Sequence, residues 1–130
     1  MGALVFERPE ELRWLEGTLH PLVGERIVAW REGLGEETPL AVVEVPLLFE
    51  TGMEGAFDAT IAIVAADELR AQRAGARGTG ELEGREARQL PQSEKAERAT
   101  YAVTNDAGLD ELERELARVM DAVVAGRTTR

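Results

Sequence analysis

The chain has 130 residues, 44% of them hydrophobic, which is enough for one domain with a core and short for two. Its formal net charge of -10 argues against nucleic acid or an anionic membrane surface as the main partner. With no cysteine and a single histidine, His20, the chain excludes disulfides, thiol nucleophiles and multi-histidine metal cages, so that any metal would be held by oxygen.

Apolar residues fall in short runs or at helical spacing, never in the roughly 18 uninterrupted positions of a membrane span, so a soluble protein is expected. The stretch Met1-Gly-Ala-Leu-Val-Phe-Glu-Arg8 has no basic region before its apolar residues and no small-residue cleavage site after a longer apolar core, and a cytoplasmic location is the corresponding expectation. Charge is uneven: residues 1 to 69 carry net -10, residues 70 to 98 net +2 and residues 99 to 130 net -2. One basic island stands in an acidic chain.

Pro9, with acidic residues beside it, predicts a helix start, because proline and carboxylates are both favoured in a first turn. Leu12, Leu15 and Leu19 share a face, and Pro21 disfavours α geometry at His20, so a break or kink is expected at that dipeptide. A second helix burying Val23, Ile27 and Trp30 should follow and end at Gly33 and Gly35. Leu40-Ala-Val-Val-Glu-Val-Pro-Leu-Leu-Phe49 is nearly continuous apolar sequence, the pattern of a parallel strand covered on both faces. Ala59 to Ala65 predicts a second strand, with Asp67 placed to cap the next helix.

From Arg70 to Arg98 the sequence is helix-prone but poor in large apolar residues and broken by glycines at 75, 78, 80 and 84, which predicts a mobile cover rather than core. Thr100 to Thr104 predicts a third strand, followed by a turn at Asn105 to Gly108. The last helix carries Leu109, Leu112, Leu116, Val119, Met120 and Val123 as one stripe. Alternating helices and apolar strands indicate an α/β layer architecture with a mainly parallel sheet.

Several residues suggest chemistry. Glu44 precedes Pro46 near a strand edge, where ligands sit in open α/β sheets, and both a magnesium-holding role and a purely structural carboxylate remain open. Arg70, Arg73 and Arg77 recur at spacings of three and four, with Arg85, Arg88, Lys95 and Arg98 beyond them; arginine forks suit phosphate oxygens, although a solvated face is the commoner use of such a helix. His20 can carry a proton or donate to phosphate, or serve as a hydrogen-bonded structural residue. Trp14 and Trp30, at helical apolar spacing, are expected in the core. No Gly-x-x-x-x-Gly-Lys-Ser/Thr run occurs, and the sole lysine, Lys95, has no glycine near it.

In chain order, Leu4-Val-Phe with Pro9 and Leu15, His20-Pro21 with Leu22-Val23, and Val45-Pro-Leu-Leu-Phe-Glu-Thr-Gly52 resemble the dephospho-coenzyme A kinase family. Asp58, Arg73 with Arg77, Gln89-Leu-Pro91 with Glu94-Lys95, and Ala99 through Asn105 continue the resemblance. Ala107 and Thr100 depart from it, standing where glycine and an acidic residue are usual.

The resemblance implies a P-loop-kinase-like parallel-sheet fold with a helical lid, covering roughly the C-terminal two-thirds of the family. It divides one partial kinase domain, 1–130, into a helical acceptor-binding part (3–37), core strands (40–66), a lid (67–98) and a last strand with the C-terminal helix (99–125). The implied activity is ATP-dependent phosphorylation of the ribose 3′-hydroxyl of dephospho-coenzyme A, the last step of coenzyme A synthesis, with ATP and Mg2+ as cofactors and dephospho-coenzyme A as small-molecule partner. Arg73 corresponds to a lid arginine stabilising transferring phosphate; His20 lies in the acceptor region, and Pro46, Leu47 and Glu50 form the loop beside the active centre. Arg77 and Asn105 fall on the nucleotide side.

The family's glycine-rich loop and acidic base have no counterpart in this sequence, so the 130 residues alone are expected to be inactive. A non-catalytic module binding a coenzyme A precursor or nucleotide is the alternative. In the family's sheet a further strand lies between the two expected at 41–45 and 60–65, so self-association through exposed sheet edges is also expected.

Overall fold

The computed structural model describes residues 8–76 and 89–128. Helix α1 runs Pro9–Glu32, followed by a 3-10 turn at Met53–Ala56, strand β1 at Ile61–Val64 and helix α2 at Asp67–Ala76. Helix α3 (Gln92–Arg98), strand β2 (Tyr101–Thr104) and helix α4 (Leu109–Thr128) complete the described chain. The two strands are parallel, with Ile61 opposite Tyr101 and Val64 opposite Thr104. α3 packs on both strands and α4 on β2. The α/β class and parallel sheet expected from the sequence are therefore present.

Reciprocal threonine bonds close the start of the sheet. Thr100 Oγ1 accepts from the Thr60 N–H at 3.0 Å and Thr60 Oγ1 accepts from the Thr100 N–H at 3.0 Å. Thr60 is buried, so these hydroxyls satisfy backbone donors that would otherwise lack water. The hydroxyls need the partner strand in register, which ties the alignment of β1 and β2 to these two side chains. The core comprises Leu12, Phe49, Ala62, Ala74, Val103 and Val119, with Val103 almost wholly enclosed.

Four expectations need correction. The His20-Pro21 dipeptide does not break the helix: Pro21 sits inside α1. Both residues are exposed, so water can solvate the Gly17 carbonyl that loses its i+4 donor, and the bias against α geometry before proline is overcome by the helix on either side. Val23, Trp30 and Trp14 are not core; they are 50%, 46% and 71% exposed, because α1 packs against no other helix or strand among the described residues. Residues 40–49 form no strand: the run has no ladder partner, and 46–51 is turn instead. A buried parallel strand needs neighbours on its edges, and apolar composition cannot supply them. Within the stripe of α4, Leu109 and Met120 are 82% and 39% exposed, while Val119 is buried. Arg77, Arg85, Arg88 and the glycines at 78, 80 and 84 lie outside the described residues.

Proline in a helix interior costs roughly 3 kcal/mol against alanine when the lost hydrogen bond is recoverable. Pro21→Ala should therefore raise stability by about 1–3 kcal/mol and increase helical circular dichroism, read by denaturant titration. Unchanged helicity with lowered stability would show that the residue does more than interrupt α1.

Candidate functional site

The carboxyl ends of the two strands are joined by a compact set of bonds. The Asn105 N–H donates to Val64 O at 2.7 Å, and Asp106 Oδ1 accepts from the Ala66 N–H at 2.7 Å. Arg73 reaches back from α2 and donates through one guanidinium nitrogen to Asn105 O at 2.8 Å. Sequence reasoning placed Arg73 and Asn105 in one site without foreseeing contact, and here they touch. Ligands of open α/β sheets gather at this end of the strands.

Beside this cluster lies a crevice of about 700 Å³. Val45, Pro46, Leu48 and Glu50 line one side, and Ile61 through Val64 line another. Asp67, Arg70, Gln89, Leu90, Gln92 and Lys95 complete its wall. It is apolar along the strand and charged at its rim. Of the two described arginines of α2, Arg70 rather than Arg73 borders it, and Arg70 is itself tied to Asp67 at 3.4 Å.

Glu50 is the most constrained carboxylate of the site. Its Oε2 lies 2.9 Å from Lys95 Nζ and accepts from the Leu90 N–H at 3.0 Å, with 10% of the Glu50 side chain and 19% of the Lys95 side chain exposed. Burial alone would raise its pKa; the Lys95 ammonium and the backbone donors of Glu50 and Leu90 outweigh that and hold it below the ordinary value. Its Oε1 is buried with no hydrogen-bond partner among the described residues. A parallel contact joins Arg98 to Glu54 at 2.6 Å, with the Arg98 guanidinium 5.2 Å from the centre of the Phe49 ring.

The other sequence candidates are dispersed. His20 is exposed on α1 and borders neither groove described here. Leu47 contributes its carbonyl, which accepts from the Thr51 hydroxyl at 2.6 Å. Glu44 lies in a separate shallow groove with Arg26, Ile27, Trp30 and Val42, away from Glu50. Arg77 lies outside the described residues. Among the described residues no three histidines or carboxylates gather as a metal site would require.

Asp67 is not the cap expected of it. It is the first residue of α2, and its Oδ1 accepts from Arg70 and from Gln92 Nε2. Sequence reasoning also missed Gln92, whose side-chain amide bonds both backbone groups of Ala65, and the Glu54–Arg98 pair. Their separations of 27 and 44 residues leave no local pattern to read.

A family model described as Dephospho-CoA kinase matches residues 1–111. A Thermus thermophilus protein named dephospho-CoA kinase is 38% identical over 129 residues, covering 97% of this chain and 63% of its own length. A namesake from Jannaschia sp. (strain CCS1) is 36% identical over 128 residues, covering 97% of this chain and 65% of its own. A crystal structure of TT1252 from Thermus thermophilus superposes with a TM-score of 0.76 at 39% identity, covering 92% of this chain and 63% of that one. The chain thus spans just under two thirds of the length of these relatives.

Because the Glu50 pKa is depressed in the folded state, the carboxylate contributes stability that is fully present above its unfolded value near 4.5 and is lost as pH falls through the folded value below it. Glu50→Gln should lower stability at pH 7 by about 1–3 kcal/mol and flatten the acid limb of the pH–stability profile. Thermal unfolding between pH 3 and 7 reads both effects; an acid limb identical to that of the parent would show that the Lys95 pair does not govern it.

Proposed function

The chain belongs to the dephospho-CoA kinase family, and on that footing we propose that it forms the acceptor side and lid of an enzyme that phosphorylates the ribose 3′-hydroxyl of dephospho-CoA with ATP in the cytoplasm. The observation that carries this reading is the crevice itself: a preformed groove along β1, with Glu50 Oε1 buried and unpartnered among the described residues and Arg70 and Lys95 in its lining.

A buried carboxylate oxygen without a donor is costly unless a ligand supplies one, and a ribose hydroxyl is such a donor. In this reading Pro46 and Leu47 shape the loop that receives the acceptor, and Glu50 Oε1 accepts its hydroxyl while Oε2 stays locked to Lys95. His20 belongs to the helical region over which the rest of the acceptor extends. Arg73, oriented by its bond to Asn105 O, offers its remaining donors to phosphoryl oxygens, with Arg77 as a second lid arginine and Asn105 on the nucleotide side. Phosphoryl transfer depends mainly on positioning and charge stabilisation, and these are the parts of that task the chain can perform.

The residues present do not fit the triphosphate. A triphosphate with Mg2+ needs a run of backbone N–H groups closed by a lysine and a hydroxyl, and the sequence has no such run. No step through ATP is therefore assigned to these residues, and the 130-residue chain alone is expected to show no turnover. A non-catalytic module that binds a coenzyme A precursor is favoured by the same combination of an intact acceptor crevice and no phosphate cradle.

Calorimetry and an ADP-release assay on the purified chain test these readings. Saturable micromolar binding of dephospho-CoA without turnover is the expected result, weakened at least tenfold by Glu50→Ala, which corresponds to about 1.4 kcal/mol. No heat at millimolar ligand would remove the acceptor reading, and ATP-dependent turnover by the chain alone would overturn its predicted inactivity.

A further inference from the structure

The junction between β1 and α2 is held at three consecutive residues. Gln92 Oε1 accepts from the Ala65 N–H at 3.0 Å, and Gln92 Nε2 donates to Ala65 O at 2.8 Å. Asp106 Oδ1 accepts from the Ala66 N–H at 2.7 Å, and the same Gln92 amide nitrogen donates to Asp67 Oδ1 at 3.1 Å. Ala66 O in turn accepts from the Arg70 N–H at 3.0 Å, the bond on which the first turn of α2 is built. One side chain of α3 thus supplies three of the bonds that fix where α2 begins.

Little else sets the direction of that helix. α2 packs against no other helix or strand among the described residues, and Ala74 is its one buried residue. Arg73 lies six residues beyond Asp67, about 9 Å along the axis at 1.5 Å per residue. A tilt of roughly 10° about the junction would carry Arg73 by about 1.5 Å, and a hydrogen bond stretched by that amount is lost. The bond at stake is the one from the Arg73 guanidinium to Asn105 O.

We infer that Gln92 is a positioning residue for Arg73: acting through Ala65 and Asp67, it sets the angle at which α2 leaves the sheet, and so where the guanidinium stands at the carboxyl ends of the strands. The inference rests on the proposed phosphoryl role of Arg73 and adds a residue that governs it from another helix. Glutamine suits the task because one amide is both acceptor and donor, so it can take the N–H and the C=O of a single residue and fix an angle as well as a distance. A carboxylate of the same length would keep the acceptor, lose both donations and set a like charge against Asp67.

Nitrogen-15 NMR of the Arg73 side chain in the full 130-residue chain tests this, with inorganic pyrophosphate as the phosphoryl probe. Gln92→Ala should move the Arg73 guanidinium signal to that of a solvated arginine. It should also speed amide exchange at Ala65 and weaken pyrophosphate binding, each about tenfold, while the ladder amides of Ala62 and Val103 stay unchanged. Gln92→Glu should disturb Arg73 in the same way, and adding Asp67→Asn should restore the signal and the affinity, since donor and acceptor then change places between positions 67 and 92. Loss of packing alone would not be rescued by that exchange.

An Arg73 signal and a pyrophosphate affinity that Gln92→Ala leaves unaltered would overturn the inference, as would a Gln92→Glu defect that Asp67→Asn does not repair. If Gln92→Ala unfolds the chain, the exchanged pair decides by the same signals. Pyrophosphate that fails to move the Arg73 signal in the parent would defeat the phosphoryl role of Arg73, and the signal without ligand would then decide the positioning by itself.

Discussion

The crevice depends on α3 being fastened to both of its sides. Lys95 holds Glu50 and Arg98 holds Glu54 on the Pro46 side, while Gln92 grips Ala65 at the end of β1. The segment at 45–54 shares no ladder with β1, so these bonds do the spacing that sheet hydrogen bonds would otherwise do. They differ in exposure. The Glu50–Lys95 pair is largely shielded from solvent and accepts an added backbone donor, which makes loss of one partner costly; the Arg98–Glu54 pair is more exposed, and Arg98 also lies over the Phe49 ring.

Such an arrangement gives the two sides of the site different rigidity. At the strand ends Asn105 is tied to Val64 by a backbone bond that continues the ladder, and the Asp106 and Arg73 side chains bond backbone groups of Ala66 and Asn105, so the geometry there follows from the sheet. The Glu50 side shares no ladder with β1 and is held by the Lys95 ion pair, the Leu90 N–H and the Arg98–Glu54 contact. A charged rim over an apolar groove suits a ligand with a polar head and a less polar body, which is the chemistry the proposed acceptor brings.

Much of the fold was legible in the sequence because local signals sufficed for it. Pro9 marked the start of α1 and Gly33 its end; the runs at 59–65 and 100–104 marked β1 and β2 within a residue or two; Leu109 opened α4. Failures came where the answer lies in a partner. Residues 40–49 have the composition of a buried strand and no strand beside them, and Trp14 and Trp30 have core spacing on a helix with little to pack against. At the candidate site, the family motif grouped Arg73 with Asn105 and Pro46 with Glu50, and the first pair touch while the second line one crevice. Gln92 and Arg98 were not, because their roles depend on backbone atoms and carboxylates 27 and 44 residues away.

The threonine pair at the mouth of the sheet has a kinetic corollary. Thr60 and Thr100 stand 40 positions apart, and every rung between β1 and β2 shares that separation. Closing a loop of that length costs about 3 kcal/mol of chain entropy before the first rung forms, so helices α1 and α4, which need only local contacts, are free to assemble sooner. The sheet becomes the slow step on the way to the native state, and the site at its carboxyl end can appear only once that step is complete.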